Sequence, residues 1–231
     1  MEPYQTEQTF FTILTLLANV VVVVALVLAL AALVSRPARR FAGHVVDVVG
    51  PSSKLLAWLV AAVATAGSLY FSEIAPYVPC RLCWFQRICM YPLAAILLVG
   101  VLLKDHRARW YAAPFVVVGI PLSTYHFLME QGVFSESDSC SATVPCAVPW
   151  FTELGYVTLA FMALSGFLLI GTLLVVDGIW ERRSAAAEEA EGALSPDEAT
   201  EGPTGNHGGP PDDHVGADDE PGATPALEVT T

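Results

Sequence analysis

From Phe10 to Val34 the chain runs for 25 residues without a charged side chain. Such a run is too apolar on every side to sit at a water boundary, and at about 1.5 Å of rise per residue it spans a hydrocarbon core of about 30 Å. In lipid every backbone amide needs an internal partner, so a run of this length predicts a transmembrane helix. Four further runs follow: Leu55–Phe71, one that starts within residues 80–83 and continues through Leu103, Tyr111 to about Met129, and Gly155 to about Trp180. The expected fold is an all-α membrane protein with five spans, a four-helix transmembrane bundle core plus one extra N-terminal helix. The apolar share of 54% agrees. The preceding MEPYQTEQT has no Lys or Arg, so the first run lacks the basic head of a secretory leader and reads as a retained helix.

The net charge of −12 belongs mostly to one end of the chain, because thirteen acidic and two basic residues lie from Glu181 onward. The body is close to neutral and offers no basic face to nucleic acid. Of the eleven basic residues, Arg36, Arg39, Arg40, Lys54, Lys104, Arg107, Arg109, Arg182 and Arg183 fall at the ends that five crossings put on one side. Arg81 and Arg87 fall at the other. The positive-inside rule then places the N-terminus and the 72–83 and 130–154 loops outside the cell, and the C-terminal tail in the cytoplasm. Three regions are expected: 1–54, the extra helix with a cytoplasmic linker in which His44–Val49 can lie on the membrane surface; 55–180, the four-helix domain; and 181–231, a disordered acidic tail. From Ser184 on, that tail is rich in Gly, Pro, Ala and acids and has too few large apolar side chains to offset the entropy of ordering. Its His207 and His214 are too loosely held to be read as metal ligands.

Four of the five cysteines, Cys80, Cys83, Cys140 and Cys146, lie in the two loops assigned to the outside, where disulfides persist. Cys80 and Cys83 form a CxxC at the start of a helix, where the amide dipoles favour a thiolate. Arg87, four residues after Cys83, shares its helical face and adds positive charge. In CSATVPC the small residues and Pro145 permit a bend that brings Cys140 and Cys146 within the roughly 4.4–6.8 Å between Cα atoms that a disulfide requires. Three readings fit the four thiols: redox exchange, structural staples, or a shared zinc site. Closing rings this small stabilises by only about 2 kcal/mol. The second spacing is longer than that of zinc knuckles. Cys89 turns away from the Cys83 and Arg87 face and reads as a small buried hydrophobe.

A redox pair at the membrane surface has to pass two electrons on, and a lipid-soluble quinone reaches it from the bilayer. Arg87, inside the membrane boundary, is a functional candidate whose partner is either a quinone carbonyl or, in the structural reading, Glu73 or the headgroups. His126, near the outer end of the fourth span, either packs or serves a quinone and its protons. Trp84, Trp150, Tyr77 and Tyr156 read as an outer aromatic belt.

With CRLCWFQR opening a membrane helix, then Tyr125 His126, then CSATVPC followed by Trp150 Phe151 and Gly155 Tyr156 Val157 Thr158, residues 55–180 resemble the quinone-linked disulfide bond formation proteins of bacteria, DsbB and its shorter-looped BdbC relatives. The resemblance implies a protein-disulfide oxidoreductase with ubiquinone or menaquinone as acceptor and a DsbA-like thioredoxin-fold oxidase as partner. It implies that Cys80 and Cys83 are the quinone-coupled pair, with Cys83 contacting quinone beside Arg87. Cys140 is then the sulfur attacked by the partner, and Cys146 exchanges with Cys80. The family's usual core has four spans, so Phe10–Val34 is an addition. A stapled or zinc-bound membrane scaffold is the reading from a different class. Vitamin K epoxide reductase-like enzymes also join loop cysteines to a CxxC, but there the loop pair precedes the CxxC helix and here it follows.

Overall fold

The computed structural model describes residues 4–134, 140 and 144–194. All regular elements among them are helices: α1 Gln5–Val34, α2 Arg36–Glu73, α3 Arg81–Leu102, α4 Ala108–Glu130 and α5 Leu159–Leu194. Each is long and apolar enough to cross a membrane, so the five expected spans are all present. The chain divides into a compact unit, residues 1–190, and a second, 191–231, whose described part is the last turn of α5.

Local chemistry sets the helix ends. Ser35 caps α2 by accepting from the Ala38 N–H at 3.3 Å, with Pro37 in the first turn, where a missing N–H does no harm. At the other end of the molecule α4 stops at Gly132, whose φ of +75° a residue with a Cβ adopts only at a cost. Gly132 N–H bonds the Met129 carbonyl and Val133 N–H that of Leu128, the paired bonds of a Schellman stop. Thr158 starts α5 by accepting from the Phe161 N–H at 3.3 Å.

Two boundaries differ from the reading of the sequence. The segment around His44–Val49, open to a surface position, is continuous with the second span inside α2. The fifth span begins at Leu159 rather than Gly155, because residues 155–158 form a turn with Gly155 at φ +80°. Its helix also runs on past Trp180 through Leu194, where alanines and glutamates propagate a helix well without a core to bury. The remainder of the predicted tail, and His207 and His214, lie outside the described residues.

The core belongs to α2–α5. Ala57 and Ala61, Leu93 and Leu97, Ala112 and Val116, and Phe167 and Ile170 pack together in one cluster. Small residues bring these helices close: a Cβ on Gly119 would come within 2.5 Å of the Phe167 ring, and one on Gly50 within 2.3 Å of Trp180. At the basic end, Lys54 reaches Glu181 at 3.2 Å and the buried Asp177 at 3.8 Å, while Arg109 also pairs with Glu181. α1 stands outside this core. Tyr4 and Gln8 tie its start to the Ile74 carbonyl and the Tyr77 hydroxyl, and Asn19 donates to Ser165 of α5 at 2.7 Å.

Candidate functional site

Cys80 is the residue just before α3, and its sulfur accepts the Cys83 N–H at 3.2 Å, so the first cysteine of the CxxC caps the helix that carries the second. The two sulfurs lie 2.7 Å apart and are not bridged. Cys140 and Cys146 are bridged, with Cα atoms 5.9 Å apart. Their bend therefore closes as the spacing of CSATVPC allows. Cys80 and Cys146, both buried, pack in one cluster with Cys83, Cys140, Leu82 and Met129. The four cysteines named from the sequence thus meet at one end of the bundle.

His126 projects from α4 into this cluster. It is 2% exposed, and its Nε2 lies 3.6 Å from Cys80 Sγ and 3.2 Å from the Cys146 carbonyl. Its Nδ1 lies 3.1 Å from Gln86 Nε2, an amide nitrogen that can only donate. The hydrogen bonds therefore assign the proton to Nε2, facing Cys80 and Cys146. Glu130, one turn further along α4, sits 3.8 Å from His126 and accepts from Thr158 at 2.5 Å.

Cys80 is buried in this site, and its thiol is held far below the ordinary range, at about 4. A hydrogen bond from the Cys83 thiol is the largest cause; burial acts the other way, and His126 adds to the lowering. A thiolate there is available at neutral pH.

The two sulfurs of the CxxC differ in reach. Both pack in the cluster with Cys146, but only Cys83, together with Gln86 and Arg87, also lines a cavity of about 430 Å³. Around them the wall is otherwise almost wholly apolar, drawn from α1, α2, α3 and α5. Arg87 donates from Nε to Ser68 Oγ at 3.0 Å and from Nη2 to the Ser68 carbonyl at 2.9 Å, and lies over the Trp84 ring. Its protein partner is thus Ser68, not Glu73, whose carboxylate accepts from Ser72. Both hydrogen bonds hold the guanidinium at the cavity wall, and it has further N–H groups to offer an oxygen there. Over the mouth, Phe71, Tyr77 and Trp150 form a stack with centroid spacings of 5.8 and 5.2 Å. Two of the residues assigned to a belt, Tyr77 and Trp150, therefore also line the cavity, and Trp84, Trp150 and Tyr156 are all exposed.

Sequence reasoning missed Gln86, Ser68, Glu130 and Thr158. Gln86 and Glu130 carried a signal, a polar group in or just past an apolar span and four residues or fewer from a named one; Thr158 stood in the quoted motif without a role of its own, and Ser68 carried none. Cys89 is buried in the bundle core, away from the other four. The zinc reading is weakened because two of its four thiols are bonded to each other; among the described residues, Cys80, Cys83 and His126 bring donor atoms within 4.8 Å of one another.

A family model described as disulfide bond formation protein DsbB matches residues 52–176. Disulfide bond formation protein C of Bacillus subtilis (strain 168) is 44% identical over 115 residues, which cover 49% of this chain and 83% of the relative. Probable disulfide formation protein C 1 of Bacillus anthracis is 42% identical over 115 residues, with the same coverage of 49% and 83%. A probable disulfide formation protein of Oceanobacillus iheyensis is 43% identical over 121 residues, 52% of this chain and 83% of the relative. No solved structure matches the chain. With five membrane-length helices, two cysteine pairs gathered at one end and a match over more than half its length, the chain belongs to the DsbB family of membrane-embedded, disulfide-forming oxidoreductases.

Proposed function

We propose that this protein is a quinone-dependent thiol oxidase that re-oxidises a DsbA-like thioredoxin-fold disulfide donor outside the cell. The observation that carries the reading is the bridging position of the CxxC, which packs against the loop disulfide while Cys83 also opens on the apolar cavity. An electron pair entering at one sulfur has a way out at the other. The cavity suits an isoprenoid quinone: a redox-active sulfur and a guanidinium at one end, hydrocarbon along the rest. When bound, the quinone supplies a two-electron, two-proton acceptor.

The chain's own residues account for the remaining chemistry. Starting from two bridged pairs, a partner thiolate attacks Cys140, a mixed disulfide forms, and Cys146 leaves as a thiolate. Cys146 then attacks Cys80, breaking the Cys80–Cys83 bond and releasing Cys83 into the cavity. The partner's second thiol resolves its mixed disulfide, and Cys140 takes back Cys146, leaving Cys80 reduced. The partner is now oxidised, the loop pair bridged and the CxxC pair reduced, the same bonding as in this structure. Re-forming the Cys80–Cys83 bond gives up two electrons and two protons, which the acceptor takes. His126 Nε2–H steadies Cys80 as a thiolate and orients the Cys146 backbone beside it. Arg87, fixed by Ser68, is positioned to donate to a carbonyl oxygen that gains charge.

The proposed orientation puts the N-terminus and both cysteine loops outside and residues 181–231 in the cytoplasm, with 1–54 and 55–180 as the accessory and catalytic membrane regions. The test is a trapping experiment. Cys146→Ala protein is expected to accumulate in cells as a mixed disulfide between Cys140 and a thioredoxin-fold protein, and Cys83→Ala to abolish quinone-coupled turnover of that partner. Unchanged turnover in the Cys83 variant would reject the relay.

A further inference from the structure

The matched family region begins at residue 52, so α1 lies wholly outside it. Yet Phe11, Leu14, Thr15, Leu17, Ala18 and Val21 of α1 line the same cavity as Cys83 and Arg87. These six residues recur at three- and four-residue steps, the repeat of one helical face. They cover about 15 Å along the helix axis. On the opposite face Val20, Val23 and Val27 are each more than half exposed, as is Leu17 at the edge of the cavity face.

α1 is held across the gap between α2 and α5 rather than merely lying beside the bundle. Its start is bonded to Ile74 and Tyr77, and Tyr77 in turn is the middle ring of the stack over the cavity mouth. Phe11 fills the space that Gly67 leaves open, where a Cβ would lie 2.6 Å from its ring. Midway down, Asn19 donates to Ser165, itself a cavity residue of α5. A side-chain hydrogen bond in this apolar setting fixes the register of α1 against α5, since a slip of one residue leaves both groups without each other.

We propose that α1 is a built-in wall of the quinone site that seats the isoprenoid tail, so that this chain binds its acceptor in a chamber where a four-span core presents a side open to lipid. The inference rests on the quinone reading and deepens it. The polar atoms at the Cys83 end take the head, and α1, apolar along its cavity face below Phe11 except for Thr15, whose hydroxyl donates to the Phe11 carbonyl, takes the tail. Ala18 sits about 10 Å below Phe11 along the helix, at tail depth.

The test is steady-state turnover of the full chain in detergent micelles, with a long-tailed isoprenoid quinone and a tailless quinone as alternative acceptors. Ala18→Trp fills the tail space, whereas Val20→Trp points the same ring into lipid. For Ala18→Trp we expect KM for the long-tailed quinone to rise about tenfold, with kcat at saturation and KM for the tailless quinone within about twofold. Val20→Trp is expected to match the wild type. Equal KM values for both variants overturn the role of α1 while leaving quinone use intact, and that result together with loss of a co-purified phospholipid from Ala18→Trp identifies a lipid chain as the occupant. A wild type that reduces no quinone overturns the functional reading and this one with it. Should thermal unfolding show Ala18→Trp misfolded, Ala18→Leu decides, with a smaller rise in the same KM expected and no rise overturning the proposal.

Discussion

Cys80 holds three posts at once: cap of α3, neighbour of the loop disulfide, and partner of His126. Its depressed pKa of about 4 follows chiefly from the Cys83 thiol donating to it. Above that value the sulfur is a thiolate, and below it the proton returns. The ultraviolet thiolate absorbance of the reduced protein is therefore expected to stay flat from neutral pH down to about 5 and to fall as pH passes through about 4. In Cys83→Ala the largest stabiliser is gone, and the Cys80 titration should move up toward the ordinary thiol range. A titration that does not move would refute Cys83 as the cause. The chemistry of these residues was legible in the sequence because CxxC, Arg87 and His126 are conspicuous in apolar surroundings. Ser68 was not, since a serine in a membrane helix looks ordinary until the facing helix is known, and Thr158, though part of the quoted motif, showed no role until Glu130 stood opposite it.

Among the elements, the helices themselves were readable from charge-free runs, while their ends were not. Residues 35–54 read as a cytoplasmic linker, yet with Ser35 as cap and Gly50 against Trp180 nearly all of it is the first part of α2. Residues 155–158 look like membrane sequence, yet Gly155 needs its positive φ and Thr158 its hydroxyl to begin α5. Both depend on single contacts that no periodicity reports. The close crossings make a stability prediction. Gly119→Leu drives a side chain into Phe167, which is fully buried and has nowhere to go. Such overpacking costs about 1–3 kcal/mol and is expected to lower the unfolding midpoint in detergent, with Phe167→Ala restoring part of the loss. A Gly119→Leu protein as stable as the wild type would mean that α4 and α5 are not packed as described.

Across the whole molecule, the two ends do different work. One gathers both cysteine pairs and the aromatic stack; the other gathers Lys54, Arg109, Asp177 and Glu181 into ion pairs, with the Ser53 hydroxyl donating to Asp177. The proposed orientation predicts that a membrane-impermeant maleimide added to intact cells, after mild reduction, labels Cys140 in preference to the buried Cys89, and that a tag after Thr231 is reached only once the membrane is opened. Labelling of the tag in sealed cells would reverse the topology and remove the route to an external partner. The scaffold reading is separated by metal analysis: a chelator is expected to leave turnover unchanged, and one zinc per chain bound to Cys80, Cys83 and His126 would favour that reading instead.

The helix cap at Cys80 also sets a thermodynamic bias. A thiolate accepts the Cys83 N–H more strongly than a disulfide sulfur does, so part of the cap is gained each time the CxxC is reduced. A cap is worth about 1 kcal/mol, or about 20 mV for a two-electron couple. By at most that amount the start of one helix makes the pair a better oxidant of the loop disulfide's thiols and a weaker reductant of whatever drains it.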